Sequence, residues 1–170
     1  RRLLLTAGIR ADRSSSNGDT GKFFFYPKAA ASYRILKPFG GLDEIKLRGA
    51  YGQTGNLPPF GTKFSPDTTG TIGGIFGVLT GSRAGDPTIQ PEKQTEFEGG
   101  FDATLGGGRS ALSVSLYQRT ISKLLLDQTL APSFGLGTQG TRLFSSDSKL
   151  RNRGIEAALS ITPVQTRDVN

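Results

Sequence analysis

Apolar and polar residues alternate with a period of two in six separate stretches of this chain, and that period belongs to β-strands, not helices. The clearest case is residues 95–105. Thr95, Phe97, Gly99, Phe101, Ala103 and Leu105 share one face, while Glu96, Glu98, Gly100, Asp102 and Thr104 share the other. A 3.6-residue repeat would mix the two sets. Leu3, Leu5, Ala7 and Ile9 separate in the same way from Thr6, Gly8, Arg10 and Asp12. Phe23, Phe25, Pro27, Ala29, Ala31, Tyr33 and Ile35 oppose Phe24, Tyr26, Lys28, Ala30, Ser32 and Arg34. Ile45, Leu47, Gly49 and Tyr51 oppose Lys46, Arg48 and Ala50, and Leu112, Val114 and Leu116 oppose Ser113, Ser115, Tyr117 and Arg119. Ile155, Ala157, Leu159 and Ile161 oppose Glu156, Ala158, Ser160 and Thr162. The expected fold class is all-β, an antiparallel up-and-down meander of these six strands. Pro27 lacks the ladder donor and predicts a bulge or interruption there. Ile121, Leu124 and Leu125 stand at helical spacing, so residues 120–130 leave a short helix open.

The connections alternate in length. Residues 36–44, with Pro38 and Gly40-Gly41, and residues 106–109, Gly-Gly-Gly-Arg, read as turns, whereas residues 14–21, 53–93 and 122–153 read as loops. Membrane β-barrels put short turns at one end and long loops at the other. The polar faces mix Gly, Ser and Thr with Lys, Arg, Glu and Asp, as a water-filled lumen would. Phe23, Tyr33, Tyr51 and Phe97 stand near the ends of the apolar faces, where interfacial aromatics belong. A soluble secreted β-sandwich, which would bury its apolar face, is the alternative. Six strands do not close as a membrane barrel, since known single-chain barrels start at about eight. An open edge in lipid leaves backbone groups unsatisfied. The membrane reading therefore makes residues 1–170 a partial barrel whose other strands lie in a longer parent chain.

Composition narrows the chemistry. Gly is abundant at 24 residues against a hydrophobic fraction of 35%, which suits turns and strands more than helices. Cys, His and Met are absent, so Ser-His and Cys-His nucleophiles and the usual zinc ligand sets are unavailable. No catalytic residue, metal or cofactor is expected. Glu96, Glu98 and Asp102 form a row of carboxylates, read as a wet face neutralised by the next strand. If Gly52 pairs near Gln94, Arg48 faces Glu98 across that ladder. Residues 135–140 match GxGxxG, yet no strand-to-helix unit surrounds them, so they read as a loop. The net charge of +7 comes with no aromatic-basic motif for nucleic acid, and none is expected as a partner. Phe60, Phe64 and Phe76 are candidates for stacking on cargo, or form the loop's own cluster. Lys149, Arg151 and Arg153 are candidates for lipopolysaccharide phosphates, or a plain solvated loop.

Three motifs then resemble a family. Residues 47–56, Leu-Arg-Gly-Ala-Tyr-Gly-Gln-Thr-Gly-Asn, with Tyr51, Gly52, Gly55 and Asn56, are similar to the LR-x-x-YG-x-TGN stretch of SusC/RagA-type TonB-dependent transporters. Asp86-Pro87 through Pro91-Glu92, with Glu98 and Gly99, resemble the NP-x-L-x-PE…E-x-G motif shared by TonB-dependent receptors, with Asp86 where Asn is usual. Asn152, Gly154 and Glu156 resemble the N-[RK]-G-[IV]-E start of a later strand; Leu57-Pro58-Pro59 departs from the family after Asn56. The resemblance implies a barrel of about 22 strands in the outer membrane of a Gram-negative bacterium. It further implies a plug, a TonB box engaging the TonB–ExbB–ExbD energy complex, and a SusD-like surface lipoprotein; residues 1–170 carry neither plug, TonB box nor C-terminal barrel end. Import of oligosaccharides or peptides is the implied function, with a siderophore or cobalamin receptor as runner-up.

Overall fold

A computed structural model describes residues 2–162. In chain order its strands are β1 (Leu3–Asp12), β2 (Phe24–Phe39), β3 (Leu42–Asn56), β4 (Asp67–Ile72), β5 (Ile75–Thr80), β6 (Arg83–Ala84), β7 (Glu92–Leu105), β8 (Ser110–Ser122), β9 (Leu125–Thr129), β10 (Thr141–Ser145) and β11 (Lys149–Ile161). The six predicted strands pair as one antiparallel sheet in the order β1-β2-β3-β7-β8-β11. Set the loops aside and every strand lies beside its chain neighbour, an up-and-down meander. Both outer strands, β1 and β11, leave one edge unpaired within the described residues.

Register turns the alternation into two continuous faces. One row across the sheet reads Leu5, Ala31, Gly49, Gly99, Leu116, Ile155, and the next Leu3, Tyr33, Leu47, Phe101, Val114, Ala157. Because side chains alternate, the opposite face collects Ser32, Arg48, Gly100, Ser115 and Glu156 in one such row. Among the described residues nothing covers the apolar face: Leu5 is 68% exposed, Leu116 55% and Ile155 73%. Burying one such side chain is worth about 1.5–3 kcal/mol, so this face in water would be an unmet demand for an apolar environment. On β7 the face runs from Phe97 to Leu105, roughly 27 Å of strand, which after tilt suits a hydrocarbon band of about 25 Å.

The two short connections share one end. Gly40-Gly41 joins β2 to β3, with Gly41 at φ 83°, and Gly106, Gly107 and Gly108, all at positive φ, join β7 to β8. A side chain there would strain the backbone. Asp43 ties the turns together, accepting from the Gly107 and Gly108 N–H groups at 2.7 and 3.2 Å. The three long connections fall at the other end, as their lengths predict.

The strands run further than expected, and five details differ. The 36–44 turn shrinks to Gly40-Gly41, because β2 continues through a register shift between Leu36 and Phe39, where Lys37 takes φ 48°. Pro27 causes no bulge: it pairs in register with Ile9. The bond from Arg34 N–H to the Arg2 carbonyl sets the phase, so the Pro27 nitrogen points toward β3, where the ladder already ends at Lys28–Gly52. The missing donor falls beyond the last rung of that ladder. Residues 120–130 form no helix; β8 reaches Ser122, Lys123 turns the chain at φ 57°, and β9 follows. Non-local pairing of β9 with β10 overrides the local spacing. The long loops are also built: β4 and β5 form a hairpin, and β6, β10 and β9 form a small sheet. Last, Phe23 precedes β2, with the Arg13 guanidinium 5.3 Å from its ring centre.

Candidate functional site

On the polar face one arginine organises three strands. Arg48 of β3 donates to Glu98 Oε1 at 2.6 Å and to Ser115 Oγ at 2.5 Å, and its Nε lies 3.5 Å from Asp102. Ser113 donates to Asp102 at 2.7 Å, and Lys46 lies 3.9 Å from the same carboxylate. Arg119 holds Glu96 through two bonds, at 3.2 and 3.3 Å. The carboxylate row is thus paired with cations on neighbouring strands, as the charge pattern predicts. The register differs from expectation by two residues: Gly52 pairs with Glu96, and Arg48 opposite Gly100. Arg48 therefore reaches Glu98 on the diagonal, which the bare Gly100 leaves open. A Cβ at Gly100 would overlap the Val114 carbonyl.

The motif residues divide among the two faces of the sheet and the loop end. Tyr51 and Phe97 are partners on the apolar face, ring centres 4.8 Å apart. Gly99 sits beside them opposite Gly49, and Gly52 opposite Glu96. Gly154 lies across from Tyr117, whose ring fills the space of a Cβ; the Tyr26 ring does the same at Gly55. Asn152 and Glu156 flank Gly154 on the polar face, opposite Arg119 and Ser115. Asn56 donates to Glu92 at 3.0 Å, while the other Glu92 oxygen accepts the Leu125 N–H at 3.0 Å. One carboxylate thereby ties the end of β3 to the start of β9.

Asp86, Pro87 and Pro91 belong to a clasp that joins the long loops. Ile89 is fully buried and Asp86 3% exposed. Asp86 accepts from the Thr88 N–H and hydroxyl at 3.0 and 2.7 Å, and Arg142 Nη2 approaches it at 3.4 Å. Burial pushes this carboxyl up, but the Thr88 donors, Arg142 and the Ser145 N–H together hold it below the ordinary value. The charge at Asp86 thus has a reason that the more usual Asn would lack: a cation from β10. Around it, Gly18 N–H bonds the Ile89 carbonyl at 2.8 Å, Asp86 N–H bonds the Thr62 carbonyl at 3.0 Å, and Ser145 bonds Gln90 in both directions. Lys63 donates to the buried Asn17 carbonyl at 3.3 Å. Asn17, Thr62, Ile89, Arg142 and Ser145 were not distinguishable in sequence, although a lone Ile89 within Asp-Pro-Thr-Ile-Gln-Pro was the one available signal.

The loop aromatics Phe60, Phe64 and Phe76 are all exposed, at 79, 57 and 73%. Phe60 and Phe64 share the loop after β3, and Phe76 stands on β5 beside the exposed Ile72, Ile75 and Val78. Within the described residues they form no buried cluster of their own. The GxGxxG stretch lies between a 3-10 turn, Pro132–Phe134, and β10, not between a strand and a helix.

A sheet with one bare apolar face, one ionic face, short turns at one end and clasped loops at the other is a segment of a membrane-type β-barrel wall. The model of the family "TonB dependent receptor-like, beta-barrel" matches residues 2–166, and the chain belongs to that family. TonB-dependent receptor P26 of Formosa agariphila is 31% identical over 99% of this chain and 18% of its own length. TonB-dependent receptor P3 of the same organism is 26% identical over 98% and 17%. The chain thus spans about a fifth of the length of these relatives. In fold it is similar to the RagAB peptide importer in its closed-closed state, with a TM-score of 0.83, 22% identity, and 98% of this chain on 19% of that one. The open-open state gives 0.80 at the same identity.

Proposed function

We propose that this chain is wall and outer loop of a TonB-dependent nutrient importer in the outer membrane of a Gram-negative bacterium. The observation that carries the reading is an apolar face left bare, backed by an ion-paired polar face, in a sheet whose two edges are unpaired among the described residues. A soluble sandwich would lay a second sheet on Leu5, Leu116 and Ile155. The remaining strands of a barrel of about 22, the plug and the TonB box come from a longer parent chain on this reading. The TonB–ExbB–ExbD complex supplies energy through those parts. The peptide-importer fold neighbours and the motif at Tyr51–Asn56 favour oligosaccharides or peptides as cargo, and a SusD-like lipoprotein as the surface partner, over a siderophore or cobalamin. Phe60, Phe64 and Phe76 contact cargo in this scheme, and the chain catalyses no reaction.

The test has two arms. Residues 1–170 expressed alone should aggregate without detergent, while the full-length parent should fractionate with outer membranes and migrate faster on gels unheated than boiled. A monodisperse, folded 1–170 in plain buffer would overturn the membrane reading in favour of the sandwich. Replacing all three phenylalanines by Ala in the parent should lower uptake several-fold at unchanged surface level.

A further inference from the structure

Above the apolar band, toward the loop end, the outward face changes character within one row. The Phe97, Gln118, Arg153 row is followed by Gln53, Thr95, Thr120, Arg151 and then by Lys93, Ser122, Lys149. These are outward positions, because they continue the phase of Gly99, Leu116 and Ile155 in steps of two. They include four cations and no carboxylate. Among the described residues none of the four lies within ion-pair distance of Asp or Glu, whereas Arg48, Lys46 and Arg119 on the other face are all paired. Arg153 spends its Nε on Gln118 at 2.7 Å, leaving the end of its guanidinium free. Below the cations, Ala31, Gly49 and Gly99 lower the surface between Leu5, Tyr51, Phe97 and Leu116 into a shallow apolar trough. A lumen or a water-filled vestibule gains nothing from charges on this face, which a barrel turns toward the bilayer.

We infer that Lys93, Lys149, Arg151 and Arg153 form a binding site for the phosphates of lipopolysaccharide, with an acyl chain lying in the trough beside Tyr51 and Phe97. The inference rests on the outer-membrane barrel reading. Three features favour this occupant. The cations stand at headgroup depth, immediately above the band. They stand at the loop end, which in such barrels faces outward, toward the glycolipid leaflet. The uncharged Gln53, Thr95, Gln118, Thr120 and Ser122 lie among them, supplying amide and hydroxyl groups for sugar hydroxyls. Arg offers two parallel N–H bonds to a phosphate, and Lys a mobile ammonium. Successive cations along β11 are about 7 Å apart, close enough for one phosphate to meet two.

The test uses the full-length receptor in detergent freed of endogenous lipid, titrated with lipopolysaccharide and read by native mass spectrometry. The K93Q/K149Q/R151Q/R153Q variant should bind about tenfold or more weakly, and enzymatically dephosphorylated lipopolysaccharide should bind the unaltered receptor as weakly. Equal binding by the variant, or no effect of phosphate removal, overturns the site. Phosphatidylglycerol competing as well as lipopolysaccharide also overturns it, leaving only a general anionic-lipid surface. Should the fourfold variant fail to fold, R151Q and R153Q separately are each expected to lower affinity about two- to threefold; unchanged affinity in both overturns the proposal. Heat-dependent gel mobility of the unaltered receptor is read in parallel. Its absence would sink the barrel and this site together, whereas its presence with unchanged lipid binding sinks the site alone.

Discussion

At the scale of single residues, the motif positions are explained by what touches them. Gly154 and Gly55 are glycines because the Tyr117 and Tyr26 rings lie where a Cβ would stand. Asp86 is charged because Arg142 and the Thr88 donors surround it. Its carboxyl is held below the ordinary Asp value of 3.8, so on acidification the unfolded chain takes up a proton there before the folded one does. The stability it contributes is present above about pH 4 and lost below it. Asp86→Ala removes the acceptor of both Thr88 donors and the partner of Arg142, and should cost about 1–3 kcal/mol of local stability. Asp86→Asn keeps an acceptor and should cost less. Proteolysis rates of residues 85–91 in the full-length receptor, measured from pH 3 to pH 7, check both. A variant loop that opens no faster than the unaltered one at pH 7 would rule out the clasp. The role of Asp86 was half legible: the motif marked the position, but its cation lies 56 residues away on β10.

At the scale of elements, period two placed all six wall strands, because burial on one face writes itself directly into a strand. Ends and registers were less legible. They depend on which backbone groups find partners, as at Pro27, where the ladder ends just before the missing donor. The Arg48–Glu98 pair was visible as complementary charge, but its diagonal placement follows from a register two residues away from the expected one. A double-mutant cycle with Arg48→Met and Glu98→Gln should give a coupling of about 0.5–1 kcal/mol in urea unfolding of the full-length receptor. Coupling indistinguishable from zero would mean that Asp102 and the serines, and not Glu98, hold the guanidinium. The helix left open over residues 120–130 failed because β9 gains its partner from β10 and not from its own neighbours.

At the scale of the whole molecule, exposure means different things on the two faces. Ala157 and Ala158 are adjacent, of one residue type and both exposed. Ala157 sits in the apolar row with Phe101 and Val114, and Ala158 opposite Ser113 on the polar face. Ala157→Arg should destabilise the receptor by about 2–4 kcal/mol in a bilayer, while Ala158→Arg should be close to neutral. Refolding into lipid vesicles with a urea titration measures both. Equal costs would mean that neither face meets lipid.

The sequence by itself determined the strand class, the number of wall strands, the two faces and the alternation of turn and loop. All of these are local, since side-chain alternation and glycine-rich turns act over a few residues. Only the tertiary structure decided the loop clasp around Asp86 and Ile89, the true registers, and the gathering of Lys93 with Lys149, Arg151 and Arg153 on one outward face. The physical reason is that these depend on pairings between segments tens of residues apart. Such pairings are set by the closing of backbone hydrogen bonds across the sheet, which no short stretch of sequence records.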